Sequence, residues 1–281
     1  MAPASRPATV YEPTVTGLPA LRPYIVALAQ RRRLMWHLAR TDLKAEHYDT
    51  AIGQLWVVLN PLLTAAVYFL FRSVVKPAGN ASTRGLVLSH LVWGVFFFTY
   101  TSNAITGGAR SVLHGRQMVL NASFPRVALP MVAILKSILD FAPTLVVYFV
   151  LHAILGQPFA LSLVYLPLLI VIQTVFNLGV GMLLAPLMIF YRDTGGFLPY
   201  VTRLWLYVTP VLYSVAEIPP GLKAYLRCNP LYPLFAALEQ MFTGKMPSSG
   251  YLLGASAWAV GVFFLGAVVF LARERELAVR L

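Results

Sequence analysis

Cysteine is nearly absent from this chain. Cys228 stands alone among 281 residues, which excludes a disulfide framework or a cysteine-based metal cluster within one copy. Charge is scarce as well: Asp, Glu, Lys and Arg together make up 11%, against about 25% in an ordinary soluble domain. Negative charge is scarcest, with ten Asp and Glu against 22 Lys and Arg. The five histidines are scattered, so metal-ligand spacing is missing. No GxxxxGK[ST] phosphate loop occurs, and Gly244-Lys245 stands by itself, so the chain carries no nucleotide-binding motif of its own. The Pro- and Ala-rich opening has no apolar run that would serve as a signal peptide. Residues 1–30 are therefore expected to be a flexible cytoplasmic tail, and the first span to act as the insertion signal.

What is abundant is apolar length. Hydrophobic residues reach 58% and mean hydropathy is +0.71, which places the chain in lipid. Runs of about 20 apolar residues suffice to cross the hydrocarbon core. Six such runs are expected, near 55–75, 85–106, 127–155, 162–191, 197–215 and 251–271. Between the fifth and sixth, residues 217–249 are apolar but broken by Pro219, Pro220, Pro230, Pro233 and Pro247. The helical spacing of Leu231, Leu234, Phe235, Leu238, Met241 and Phe242 suits a re-entrant helix too short to span. The fold expected is thus an all-α membrane protein with six transmembrane helices over 53–272, outward re-entrant helices and a short cytoplasmic tail at 273–281.

Residues 31–52 read as an amphipathic interfacial helix ahead of the first span. At 100° per residue Arg33, His37, Arg40, Lys44 and His47 form a basic stripe. Leu34, Leu38, Ala45, Tyr48 and Ile52 form an apolar stripe beside it, and Asp42, Glu46 and Asp49 an acidic flank. Such a helix lies in the headgroup plane and binds membrane lipids. The acidic flank reads as solvated helix surface, because charge of this kind is ordinary on exposed helices.

The net charge of +12 would suggest nucleic acid in a soluble protein. Here the cations sort by side: fourteen of the 22 fall in segments on the side of the termini and six opposite. The positive-inside rule then puts both termini in the cytoplasm, and no nucleic-acid partner is expected. Two features sit inside spans. Lys136 and Asp140 are four apart and share a helix face; they read either as a self-neutralising structural pair or as a polar contact in a transport path or subunit interface. Arg203 interrupts the fifth span without an evident partner.

Three groups of motifs, in order, resemble the permease subunits of ABC exporters of cell-surface polysaccharides, of the O-antigen, capsule and teichoic-acid type. The first is Asp42-Leu43-Lys44 through Tyr48, then Gly53-Gln54-Leu55-Trp56 and Leu59-Asn60-Pro61-Leu62, similar to the family's gate helix leading into its first span. The second is Phe124-Pro125-Arg126 with Leu129-Pro130, at the end of the family's coupling helix. The third is Arg192-Asp193, Thr209-Pro210-Val211-Leu212-Tyr213, Ile218-Pro219 and Asn229-Pro230-Leu231. The resemblance runs from about Leu34 to Arg273. The sequence departs from the family's pattern at Thr41, at Glu46-His47 and at Leu120–Ser123.

The resemblance implies a multi-pass plasma-membrane protein that is not itself an enzyme. It implies a second copy of the chain and two copies of a separate ABC ATPase, with ATP and Mg held there and no cofactor on this chain. The cargo would be a polyprenyl-pyrophosphate-linked polysaccharide moved outward from the cytoplasmic side; the Ala-, Arg- and Val-rich usage hints at an actinobacterial galactan. By this resemblance Arg33, Arg40, Lys44 and Trp56 belong at lipid-headgroup level. Arg116, Met118, Phe124, Pro125, Arg126, Arg192 and Asp193 belong to ATPase coupling. Tyr68, Phe97, Phe98, Tyr100 and Tyr207 could line the path, although for any one aromatic, core packing or lipid contact is the commoner role. A small-molecule or drug exporter, a membrane-embedded glycolipid enzyme and an ion channel are the alternatives.

Overall fold

A computed structural model describes residues 21–46, 53–76, 80–121, 124–191 and 193–280, and every regular element among them is helical. Two short helices open the described chain, α1 (Leu21–Gln30) and α2 (Arg32–Glu46), separated by a turn at Arg31. The helix thus begins ten residues before the expected interfacial segment. Four long helices follow: α3 (Trp56–Val75), α4 (Ala81–His114), α6 (Ala128–Ile154) and α7 (Leu166–Phe190), with the short α5 (Arg116–Asn121) between α4 and α6. Then come α8 (Thr194–Val208), α9 (Pro220–Leu226), α10 (Tyr232–Phe242) and the 32-residue α11 (Ser249–Arg280). Among the described residues five helices are long and apolar enough to cross a membrane: α3, α4, α6, α7 with its leading 3-10 turn, and α11.

The expected fifth span differs. Its helix has only 15 residues, about 22 Å at 1.5 Å per residue, short of a 30 Å core. Thr209 turns to extended backbone, as a residue before proline does, and Pro210 has no N–H with which to continue the ladder. Conversely, α4 runs eight residues past the expected end at Thr106. Gly107 and Gly108 do not break it, because the helix there crosses α7 closely: a Cβ on Gly108 would stand 2.8 Å from the Gly181 Cα. A second close crossing joins α7 to α11, where a Cβ on Gly179 would meet the Phe263 backbone at 2.6 Å. Small residues that let backbones approach are how helices associate in lipid, where burying apolar surface gives little drive.

The core lies between α4, α6, α7 and α10. Trp93 stacks on Phe242 with centroids 5.4 Å apart, Phe97 meets Phe141 edge-on at 4.9 Å, and Tyr100 stacks on Phe141 at 4.7 Å. The run Tyr232–Leu238 of α10 is wholly buried, so this short helix is apolar all round and sits inside the bundle. Gln173 of α7 donates to the Phe97 carbonyl at 2.8 Å and to Thr101 Oγ1 at 2.6 Å, a polar tie between two spans.

The first and last described helices meet at one end of the bundle. Val112, Leu129, Met182, Phe270 and Leu277 form a buried cluster there. The last turns of α11, expected as a tail, stay helical because they are held. Glu274 is buried, and Arg273 and Arg280 lie over the Phe190 ring at 5.3 and 4.6 Å.

Candidate transport path and coupling surface

A groove of about 750 Å³ separates α2 from α4, α5 and α6. Its walls carry Asp42 and Glu46 from α2, Arg110 and His114 from α4, Met118 from α5, and Lys136 and Asp140 from α6. Lys136 pairs with Asp140 at 3.5 Å and also with Glu46. The intramembrane pair is therefore part of a three-membered bridge that fastens the interfacial helix to α6. The acidic flank of α2 stays exposed at Asp42 and Glu46, but Glu46 also reaches the lysine, because α2 packs across α6. Asp49 and His47 lie outside the described residues.

On the opposite flank of α2, Arg33, Arg40 and Lys44 are exposed. Arg40 lies over the Trp36 ring, 4.6 Å from its centroid, so its guanidinium is held by cation–π attraction with its donors still available. Trp56 is half-buried at the start of α3.

The segment after α5 is tied inward. Arg116 is exposed and Met118 half-buried on α5, and Phe124 is half-buried beside the buried Pro125. The Arg126 N–H donates to Glu274 Oε1 at 2.8 Å, and its guanidinium donates to the Glu274 carbonyl. Tyr24 of α1 donates its hydroxyl to the same carboxylate at 3.0 Å and accepts from the Val127 N–H at 3.3 Å. Burial and the neighbouring Glu274 charge push the Tyr24 phenol up. One carboxylate thus gathers α1, the start of α6 and the end of α11. Arg192 lies outside the described residues; Asp193 is exposed at the foot of α8.

At the other end, Arg72 of α3 donates to both Glu217 carboxylate oxygens at 2.7 and 2.9 Å and to the Leu212 carbonyl at 3.2 Å. Lys76 reaches Glu217 at 2.8 Å. Burial opposes ionisation of Glu217, but the hydrogen bonds from Lys76 and Arg72 outweigh it and hold its carboxyl down at about 2. Glu239 of α10 accepts from Ser214 Oγ and, at 2.9 Å, from the Val215 N–H. The Pro-broken loop is therefore clasped from α3 on one side and from α10 on the other.

The path residues separate into two sets. Phe97, Phe98 and Tyr100 are buried within the subunit, exposed by 3% or less, and in this conformation they pack the core rather than face an open passage. Tyr207 is 47% exposed and meets the half-buried Tyr68 edge-on, centroids 6.5 Å apart. Arg203 is exposed on the same helix as Tyr207. The clasps at Glu274 and Glu217 went unread in the sequence. The only local signal there is an acidic residue in a basic or apolar stretch, and their partners stand more than a hundred residues away.

Long apolar helices packed side by side define this chain as a multi-pass membrane protein. The ABC-2 type transporter family model matches residues 34–243, and the chain belongs to that family. Among curated proteins it is similar to the O-antigen export system permease protein RfbA of Myxococcus xanthus, 27% identical over 254 residues that cover 89% of this chain and 96% of the relative. It is also similar to a protein of the same name from Klebsiella pneumoniae, 28% identical over 207 residues, 73% of this chain and 78% of the relative.

Proposed function

We propose that this chain is the transmembrane half of an ATP-driven exporter that moves a polyprenyl-pyrophosphate-linked polysaccharide outward across the plasma membrane. The observation that carries the reading is the nearly full-length similarity to an O-antigen export permease. Two copies of the chain pair with two copies of an ABC ATPase, which holds ATP and Mg. This chain supplies the passage, not the hydrolysis.

Six crossings are supported by the positions of the helix ends. The end of α11 meets the start of α6 through Glu274 and Arg126, and α1 joins them through Tyr24. The end of α7 lies in the same cluster. The start of α7 meets the end of α10 at the other end, where Ser162 donates to the Met241 carbonyl at 2.8 Å. A crossing between Phe190 and Thr243 fits these positions, and in this reading α8 with the Thr209–Pro210 break makes it. This puts both termini on one side, which the basic excess makes cytoplasmic. α9 and α10 then belong to the outward, re-entrant segment.

The residues take roles accordingly. Arg33, Arg40 and Lys44 offer exposed donors at headgroup level, where a lipid diphosphate arrives and charge-assisted bonds to phosphate are strong. α5 and the turn through Phe124, Pro125 and Arg126 face the ATPase together with Arg192 and Asp193. Arg126 passes movement on through Glu274 to α11 and α1. The Arg72–Glu217 clasp keeps the outer segment against α3 until the passage opens.

The test is reconstitution. The chain co-expressed with an ABC ATPase should co-purify as a complex. In inverted vesicles it should move a lipid-linked polysaccharide into the lumen only with ATP and Mg. Movement of small hydrophobic dyes but no polymer would turn the reading to a drug exporter. Ion conductance by the chain alone, insensitive to ATP, would overturn it.

A further inference from the structure

Arg203 is the arginine that falls within α8, away from either end of that helix. It stands about 14 Å along the axis from Thr194, at 1.5 Å per residue, in the middle of the crossing made by α8. It is exposed, and none of the ion pairs among the described residues includes it. A cation at that depth facing lipid is costly, and such residues face a water-filled passage or a partner charge.

Among the described residues the acidic side chains are engaged elsewhere or stand far from Arg203 along the chain. Of the ten carboxylates, Asp140 is held by Lys136, Glu217 by Arg72 and Lys76, and Glu239 by Ser214 and Val215. Asp193 lies at the foot of α8. The other six precede the first span or end the last one. The surroundings are built for an anion. Tyr200 and Tyr207 share the Arg203 face at i−3 and i+4, exposed by 66% and 47%. Tyr68 of α3 meets Tyr207 edge-on. A guanidinium fork with phenol donors around it matches phosphate oxygens.

We infer that Arg203, with Tyr68, Tyr200 and Tyr207, forms a mid-membrane station for the diphosphate group of the exported lipid, distinct from the headgroup-level cations of α2. It rests on the export reading. A charged headgroup crossing a low-dielectric layer needs a compensating charge partway, and Arg203 supplies it where the layer is deepest. The neighbouring tyrosines let the following sugars slide over ring faces once the diphosphate has moved on.

The full chain in lipid nanodiscs tests this, with Arg40→Gln and Lys44→Gln in every sample to silence the headgroup-level site. Fluorescent geranylgeranyl diphosphate should bind about tenfold more tightly than geranylgeraniol while Arg203 is present. Arg203→Gln should bring the two ligands to within about twofold, and Arg203→Lys should keep most of the preference. An unchanged preference in Arg203→Gln overturns the inference. A second measurement needs no variant of Arg203: a photoreactive prenyl diphosphate should label residues 200–208, and labelling confined to other helices overturns it as well. Surface polysaccharide in cells separates the two levels of the argument. If wild-type chain exports no polymer, the export reading fails. If it exports and Arg203→Gln exports equally, only the station fails.

Discussion

Replacing Lys136 with Met should be among the most damaging single changes in the bundle, and the geometry says by how much. Its ammonium stands 3.5 Å from Asp140 and bridges on to Glu46; the three side chains are 25%, 14% and 52% exposed. At 3.5 Å and an effective dielectric near 20 the gross attraction is about 5 kcal/mol, much of it offset by desolvation. Lys136→Met deprives Asp140 of its lysine inside a span, where one uncompensated charge costs about 2.5–3.5 kcal/mol. Asp140→Leu should cost less, about 1–2 kcal/mol, because Lys136 keeps Glu46. The double change removes both charges and should fall within about 1 kcal/mol of wild type, against about 3.5–5.5 kcal/mol for the sum of the singles, a coupling of about 2.5–5 kcal/mol. Glu46→Gln, at the exposed end, should cost under about 1 kcal/mol. Reversible unfolding of the purified chain in mixed micelles measures all four. If the double variant is as unstable as the sum of the singles, the bridge is not a neutralising unit and the reasoning is wrong.

Other changes follow from the same structure. Gly266→Leu should prevent assembly of a stable bundle, because any Cβ there overlaps the Gly179 carbonyl oxygen; a normally folded, monodisperse variant would contradict the close α7–α11 crossing. Arg126→Glu should abolish export while complex formation with the ATPase stays measurable, and Tyr24→Phe, which removes both hydrogen bonds of the hydroxyl, should cost about 1–3 kcal/mol of stability and leave most export intact. The outer clasp has a signed pH dependence. Glu217 has a depressed folded-state value of about 2 against an ordinary 4.5, so its contribution is fully present above pH 4.5 and is lost as pH falls toward 2. Unfolding of wild type and Glu217→Gln from pH 7 to pH 2 should show a constant difference down to about pH 4.5 that closes below it; a difference that already closes near pH 6 would contradict the clasp.

Much of the fold was legible because lipid imposes a simple grammar. Long apolar runs had to become helices, since no other open element satisfies its backbone in hydrocarbon. The proline-broken stretch had to stay short of a span. What was not legible came from packing. Nothing local to Gly107-Gly108 says that α4 continues; its contact with Gly181 does. Nothing in the tail after Leu271 says helix until Glu274 meets Arg126 and Tyr24. The aromatic run at 96–100 looks equally suited to a passage or a core, and only neighbours such as Phe141 and Phe242 decide that its rings pack inward. For the candidate site, the cations of α2 could be read from periodicity. The role of Glu46 could not, because it depends on where α2 lies against α6. Arg203 was visible as an anomaly; its exposed tyrosine neighbours on α8 could be placed beside it only once that helix was described.

The central claim is that this chain carries a lipid-linked polysaccharide across the membrane, and deletion of its coding sequence in the native cell tests that most directly. Surface polysaccharide should disappear while lipid-linked polymer accumulates on the cytoplasmic face, and wild-type chain supplied in trans should restore both. Undiminished surface polymer in the deletion strain, with no internal accumulation, would contradict the account.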